Sequence, residues 1–99
     1  MAKFDVYRSR GGAVYLLDCQ ADLLSDLNTR FVVPLMLETD APKPAARLNP
    51  VFEIEGKPCV MVTQFAATVP VSELKVRLVS LREDSLAIGN ALDMLICGF

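Results

Sequence analysis

A proline-free run at the C-terminus constrains the fold of this chain most strongly. It extends over Ser80–Phe99 and consists mostly of helix-forming residues up to Gly98. Ser80 followed three residues later by Glu83 has the pattern of a capping box, so the sequence predicts a helix over about residues 81–97. The apolar positions that we expect this helix to bury are Leu81, Ile88, Ala91, Leu92, Leu95 and Ile96.

The opposite face of this helix is neither fully apolar nor charged like an ordinary solvated surface. An aromatic residue, Phe99, also ends the chain next to the helix. These features suggest a helix that meets a partner, although the pattern alone agrees somewhat better with a C-terminal helix that only covers a small barrel, with Phe99 folded back. The residues of the opposite face are Arg82, Leu86, Asn90, Asp93 and Cys97.

Short alternating runs separated by turns fill the rest of the chain. Such runs are typical of half-buried strands. Pro34 cannot donate to a strand ladder, so we expect it to mark an edge or the end of a strand. Six or so strands followed by one helix predict a mainly β (α+β) fold, a barrel-like antiparallel sheet with a packed helix, in a single domain over residues 1–99. The predicted strands include Lys3–Tyr7, Ala13–Cys19, Arg30–Leu35, Val51–Ile54, Cys59–Gln64 and Leu74–Val79.

The charge balance argues against a nucleic-acid-binding protein. The 99 residues include 10 Lys and Arg against 12 Asp and Glu, a net charge of -2. Proteins that bind phosphates usually carry a basic surface, so direct nucleic-acid binding is disfavoured. The apolar fraction of 53% is slightly above the ordinary range and favours a homo-oligomer.

The cysteines and the N-terminus exclude other classes. Cys19, Cys59 and Cys97 are far apart and the chain has no histidine, so we expect no metal. Cys19 and Cys59 lie in strand patterns and are predicted to be packed thiols. There is no signal peptide and no apolar run of ~18 residues, so we expect a cytoplasmic protein.

The segment Asp18–Thr29 interrupts the strand pattern and contains the adjacent leucines Leu23 and Leu24. Two neighbouring residues of an extended chain point to opposite faces, so we expect one leucine to be exposed. A contact patch and a short helical turn that caps the barrel are equally compatible with this pattern. Asp18 and Asp22 are more typical of turn caps than of an acid/base pair.

From this segment onward the sequence resembles the CcdB family of toxins from bacterial toxin–antitoxin modules. The resemblance rests on Asp18–Leu24, Thr29–Leu35, Ala67–Ser72 and the helix ending in Gly98 plus an apolar residue, and it covers essentially the whole chain. It implies an SH3-like barrel with a C-terminal helix, in a homodimer. It also implies a DNA gyrase poison that binds the gyrase A subunit to trap the cleaved-DNA complex, and a cognate antitoxin whose flexible tail wraps the toxin. Neither a cofactor nor intrinsic catalysis is expected.

The resemblance assigns two sets of residues. The gyrase-contacting positions are Leu23, Leu24, Asp93, Cys97, Gly98 and Phe99. The positions expected to support the antitoxin contact are Asp18, Gln20, Asp22 and Arg30.

The sequence departs from the best-known member of the family at two of these positions. That member has tryptophan where Cys97 stands, and a thiol cannot replace the ring in cation–π contacts of about 0.5–2 kcal/mol. It has asparagine where Asp93 stands.

Two alternatives stay open at this point. MazF/Kid-type toxins, which cleave mRNA, share the barrel, and in such an enzyme Asp18, Asp22 and Arg30 would be the acid/base candidates. The acidic composition disagrees with an RNA groove. The second alternative is a diverged, non-toxic member that still binds antitoxin, which the cysteine at position 97 suggests.

Overall fold

The computed structural model describes residues 2–12 and 14–98 and has a mainly β architecture. One antiparallel sheet curls into a half-barrel, and a C-terminal helix packs against it. The strand order is β4-β5-β3-β2-β1-β7, with β6 paired to β3, so the predicted SH3-like fold class is confirmed. The elements are β1 (Asp5–Arg8), β2 (Tyr15–Asp18), β3 (Thr29–Leu37), β4 (Val51–Ile54), β5 (Lys57–Met61), β6 (Ala67–Pro70), β7 (Val76–Ser80) and α1 (Ser85–Cys97).

Strand β3 pairs with three other strands, β2, β5 and β6. The sheet curls around this long strand, because two different strands pair with the two halves of one of its edges. On the edge away from β2, its residues Thr29–Val32 pair with β6 and Leu35–Leu37 pair with β5. Pro34 lies in the gap between these two ladders, so its missing N–H interrupts neither of them. Its carbonyl accepts a hydrogen bond from the backbone N–H of Val62 at 3.0 Å. The prediction that Pro34 marks an edge or a strand end was therefore wrong.

Alternating side chains of the strands build clusters on both faces of the sheet. Leu17 of β2 is fully buried in the main core, whereas its neighbour Leu16 packs with Tyr7 and Val32 on the other face. The helix contributes Ile88 and Ala91 to the main core, and both are fully buried as predicted. The first half of α1 therefore packs against the sheet.

Helix α1 begins later than the sequence predicted. Arg82–Asp84 forms a 3-10 turn, and the α-helix starts at Ser85. The Ser80 hydroxyl accepts a hydrogen bond from the backbone N–H of Arg82 at 3.2 Å, two residues on rather than three. The capping box does not form, because this turn intervenes between Ser80 and the helix.

The last turn of α1 also differs from the prediction. Leu95 and Ile96 were expected to be buried, but they are 41% and 74% exposed. The last turn of the helix extends beyond the part of the molecule that covers Ile88 and Ala91, so the side chains of Leu95 and Ile96 remain exposed to solvent. No helix in the described part of the chain combines the length and apolarity needed to cross a membrane.

All three cysteines are free thiols. Cys19 and Cys59 are buried, as predicted, and Cys97 is exposed. Burial raises the pKa of Cys19 to about 12 and also raises the pKa of Cys59. Both buried thiols are therefore protonated at neutral pH and act as packing groups. Among residues 2–12 and 14–98, no three Cys, Asp or Glu side chains are grouped as a metal site would require.

The β4–β5 turn is joined to the first two strands by Glu55. Its carboxylate accepts a hydrogen bond from the Tyr15 hydroxyl at 2.9 Å and from Arg8 Nη2 at 3.1 Å. The hydrogen bond from Tyr15, followed by the charge of Arg8, lowers the pKa of Glu55 below its ordinary value of 4.5. The ionised form of Glu55 is thus favoured in the folded protein.

We expect Glu55→Gln to flatten the acid side of the stability profile. A lowered pKa contributes stability above the unfolded-state pKa, and this contribution is lost as the pH falls through the folded-state pKa. Urea unfolding between about pH 3 and pH 6 should give a smaller change in the free energy of unfolding for Glu55→Gln than for the wild type. Parallel profiles for the two proteins would mean that the carboxylate contributes nothing to acid sensitivity.

Candidate functional site

The connection between β2 and β3 exposes several leucines. Asp22–Leu24 forms a 3-10 turn in which no residue is buried. Leu23 is 92% exposed and Leu24 is 49% exposed. The short helical turn is therefore present, but both leucines are exposed rather than one, and neither is buried as a cap of the barrel.

Sequence reasoning missed a third leucine of this connection. Leu27 is 50% exposed and follows Leu24 by three residues. We call the segment that carries the exposed leucines Leu23, Leu24 and Leu27 the leucine turn. The sequence contained a sign of this exposure. Leu27 lies among the polar residues Ser25, Asp26 and Asn28, outside any run in which polar and apolar residues alternate as in a strand.

A buried ion pair lies at the base of the leucine turn. Arg30 and Asp18 have no solvent exposure, and Arg30 donates from Nε and Nη2 to Asp18 Oδ2 at 3.0 and 2.6 Å. Removing two charges from water is costly, so such a pair persists only with close contact and further hydrogen bonds. Asp18 has one more, because its Oδ1 accepts the backbone N–H of Gln20 at 3.0 Å.

The side chain of Gln20 connects the two ends of the leucine turn. Its Nε2 donates to the carbonyls of Leu24 and Thr29 at 3.0 and 3.1 Å. Its Oε1 accepts the backbone N–H of Phe31 at 3.0 Å. These three hydrogen bonds, two donated and one accepted by the buried amide, join Gln20 to the backbone of the turn and of β3.

The four residues assigned to the antitoxin contact divide into two groups. Asp18, Gln20 and Arg30 are buried and bonded to their own chain, so their side chains are not available for direct contact. Asp22 is exposed, and its Oδ1 accepts the backbone N–H of Lys3 at 2.8 Å. Only Asp22 of this set lies on the surface.

The end of α1 forms a second exposed surface. Asp93 and Cys97 are exposed and are one helical turn apart. Gly98 ends the helix with a φ of 82°, and its N–H donates to the Met94 carbonyl at 3.1 Å. We call this exposed end, Asp93–Gly98, the helix tip; Phe99, which was also assigned to it, lies outside the described residues.

The leucine turn and the helix tip are at different ends of α1. Asp22 lines the same cleft as Ser85, the first residue of the helix, whereas Cys97 is the last. The 13 residues of α1 give a length of about 20 Å. One copy of the chain therefore presents two separate exposed surfaces, and two copies can present them in combination.

Both surfaces expose large apolar side chains, Leu23 in the leucine turn and Ile96 in the helix tip. Contiguous exposed apolar patches mark contact sites, whereas single exposed apolar side chains are ordinary. The chain has no histidine, and the buried thiols and the Asp18–Arg30 pair are closed to solvent.

Comparison with known proteins identifies one family. The family model described as CcdB protein matches residues 3–98, which is nearly the whole chain. The match covers every strand, the leucine turn and α1 through Gly98. No curated protein matched the chain.

Proposed function

Because the chain belongs to the CcdB family, toxins of toxin–antitoxin modules that generally poison DNA gyrase, we propose that it traps the cleaved-DNA complex by binding the gyrase A subunit. In this proposal the protein acts as a homodimer and is neutralised by a cognate antitoxin. It needs no cofactor, because the trapped topoisomerase causes the damage. The cytoplasm, where gyrase acts, is its proposed location.

The observation that carries this proposal is the exposure of Leu23. A leucine that is 92% exposed, on a turn fixed by buried hydrogen bonds, has no role in packing this chain. The sequence resemblance assigns Leu23 to a gyrase-contacting position of the family. Gyrase-binding residues in this proposal are Leu23 and Leu24 in the leucine turn, and Asp93, Cys97, Gly98 and Phe99 at the end of the chain.

The homodimer explains how both surfaces act on one target. The leucine turn and the helix tip are separated by the length of α1 in one copy, and a symmetric pair supplies two of each. The 53% apolar composition agrees with an interface in addition to a core. The exposed ends of two helices then meet the target together.

The antitoxin contact in this proposal includes Asp22 directly. Asp18, Gln20 and Arg30 contribute by holding the leucine turn in place, since their side chains are buried. The same burial argues against an mRNA-cleaving enzyme, because an acid/base group must reach the substrate. Asp18 and Arg30 have no exposed surface with which to do so.

A DNA-cleavage assay tests the proposed poison. Purified gyrase, ATP and supercoiled plasmid are incubated with the protein, and the reaction is stopped with detergent. We expect linear, gyrase-linked DNA, and we expect that gyrase carrying a toxin-resistance substitution will prevent it. A folded protein that yields no linear DNA with sensitive gyrase would contradict the proposal and leave the non-toxic member as the better explanation.

Leu23→Ser should weaken poisoning while sparing the fold. Exposing a serine instead of leucine changes little in the folded chain, so the melting temperature should stay within about 2 °C of the wild type. Losing one buried leucine side chain at the interface should cost about 1.5–3 kcal/mol of binding, roughly a tenfold to hundredfold higher toxin requirement in the cleavage assay.

The matched control for this variant is Val51→Ser on β4. Val51 is 45% exposed and lies in an outer strand of the sheet, outside the proposed contact surfaces. It should leave the toxin requirement unchanged. Equal effects from the two substitutions would remove the leucine turn from the gyrase contact.

A further inference from the structure

The first described residues of the chain form a turn that is fixed to two distant parts of the molecule. We call residues 2–5 the N-terminal turn. The backbone N–H of Phe4 donates to the Asp18 carbonyl at the end of β2. The Phe4 carbonyl accepts the backbone N–H of Leu81, shortly before α1, at 2.8 Å. The sheet and the segment that leads into the helix therefore both hold the N-terminal turn.

Asp5 closes the N-terminal turn from its buried end. Its backbone N–H donates to the Ala2 carbonyl, and the Ala2 N–H donates back to Asp5 Oδ2, both at 3.1 Å. The same Oδ2 contacts Nε of Arg77 in β7 at 3.1 Å. Because Asp5 is buried, these bonds are shielded from water, and the turn is a firm support.

Phe4 has an unusual backbone conformation within this turn. Its φ is 73°, in the left-handed region that a residue with a bulky side chain rarely adopts. The Phe4 ring is nevertheless buried in the main core, and Lys3 Nζ lies 5.0 Å from the ring centroid. A strained backbone persists only where its surroundings fix it, and such strain is frequent at functional sites. The conformation of Phe4 sets the course of the backbone at its neighbour Lys3.

The backbone of Lys3 is bonded to the residue that precedes Leu23. The Lys3 N–H donates to Asp22 Oδ1 at 2.8 Å, across 19 residues of sequence. The sequence suggested that Asp22 is a turn cap, but the 3-10 turn Asp22–Leu24 has no side-chain cap. The Asp22 carboxylate instead joins the leucine turn to the N-terminal turn.

Leu23 thus lies between two residues that are each bonded to a fixed part of the chain. On one side, Asp22 accepts the Lys3 N–H. On the other side, the Leu24 carbonyl accepts Gln20 Nε2 at 3.0 Å. Leu23 itself is 92% exposed, so packing of its own side chain does not fix its position. The bonds of its two neighbours restrict the backbone that carries it.

We infer that Asp22 is a positioning residue for the gyrase contact, and that its bond to the N-terminal turn holds Leu23 in the conformation that the target binds. A loop already fixed in its bound conformation loses less conformational entropy on binding, so affinity rises without a new contact. This role rests on the proposed gyrase contact of Leu23 and is separate from the antitoxin contact assigned to Asp22. It requires an acceptor oxygen at position 22 and no negative charge.

Two substitutions of Asp22 separate the acceptor from the charge. Asp22→Asn removes the charge and keeps Oδ1 as an acceptor, whereas Asp22→Ala removes both. In the gyrase cleavage assay without antitoxin, Asp22→Ala should raise the toxin requirement about fivefold, and Asp22→Asn should stay within about twofold of the wild type. Equal losses in the two variants, or no loss in Asp22→Ala, would overturn the positioning role.

Asp26→Ala is the matched control for the change of charge. Asp26 is exposed in the same connection between β2 and β3, and it takes part in none of the ion pairs of the described residues. Its substitution should leave the toxin requirement within about twofold of the wild type. The substituted side chains are exposed, so all three variants should keep the melting temperature within about 4 °C. A loss in Asp26→Ala equal to that in Asp22→Ala would mean that charge near the turn matters, and the positioning role would be rejected.

Amide hydrogen exchange tests the positioning of the leucine turn without gyrase. The Lys3 N–H reports the bond to Asp22, and the Leu24 N–H, which donates to the Ala21 carbonyl at 3.0 Å, reports the turn itself. Both amides should exchange about fivefold faster in Asp22→Ala than in Asp22→Asn or the wild type, with unchanged exchange in β3.

The two measurements separate this inference from the proposed function. Unchanged exchange in Asp22→Ala would overturn the positioning role even if the wild type poisons gyrase. Faster exchange in Asp22→Ala, together with a wild type that yields no linear DNA, would support the positioning of Leu23 and contradict the proposed gyrase contact.

Discussion

Among substitutions of the buried polar residues Asp18, Gln20 and Arg30, Arg30→Met should be the most destabilising. It leaves the Asp18 carboxylate fully buried without its charged partner. Breaking a buried pair in this way costs about 3–5 kcal/mol, which is a large part of the 5–15 kcal/mol that holds a typical domain together. Urea unfolding at neutral pH should therefore give a free energy of unfolding about 3–5 kcal/mol below that of the wild type.

The matched control is the double variant Asp18→Asn with Arg30→Met. It removes both charges and keeps an oxygen near the Gln20 N–H, which Asp18 Oδ1 bonds at 3.0 Å. Without a net buried charge, the double variant should be more stable than Arg30→Met alone. If the single variant lost less than about 1 kcal/mol, the pair would not be a major constraint on the fold.

Deleting Gly98 and Phe99 should abolish gyrase poisoning and leave the fold intact. Gly98 caps α1 through one hydrogen bond to Met94, and it is exposed. Losing this cap should cost about 1 kcal/mol, or roughly 4–8 °C in melting temperature for a chain of this size. Linear DNA should nevertheless disappear from the gyrase cleavage assay, because the end of the helix tip is gone.

Gly56→Ala separates the loss of stability from the loss of contact. Gly56 has a φ of 77° in the β4–β5 turn, so alanine there imposes a backbone strain of about 1 kcal/mol, comparable with the loss of the Gly98 cap. This variant should be destabilised by a similar amount and still produce linear DNA. Poisoning that survives the deletion, or is lost in both variants, would contradict the assignment of the helix tip.

The fold class was predictable because alternation is a local property of strands. Val51–Ile54 shows it directly, with Phe52 and Ile54 buried and Val51 and Glu53 exposed. The start of α1 was not predictable from the same kind of pattern. Ser80 has the side chain of a cap, but its hydroxyl bonds Arg82 and a 3-10 turn follows.

Burial at the site depends on strand register, which local patterns do not contain. Asp18 is paired with Val32 across β2 and β3, so Arg30, two residues earlier, lies diagonally opposite on the same face. That arrangement turns two charged residues into a buried pair. The exposure of Ile96 has a similar cause, since the apolar pattern of a helix does not say where the sheet beneath it ends.

The hydrogen bonds between Gln20 and the leucine turn also affect how this protein can change during evolution. Gln20 bonds the backbone of Leu24, Thr29 and Phe31, and none of these bonds depends on which side chains the turn carries. Residues 23–28 can therefore be exchanged while the barrel stays the same, as recognition loops are exchanged on an antibody framework. A library randomised at Leu23, Leu24 and Leu27 would be a practical way to direct this scaffold to new targets.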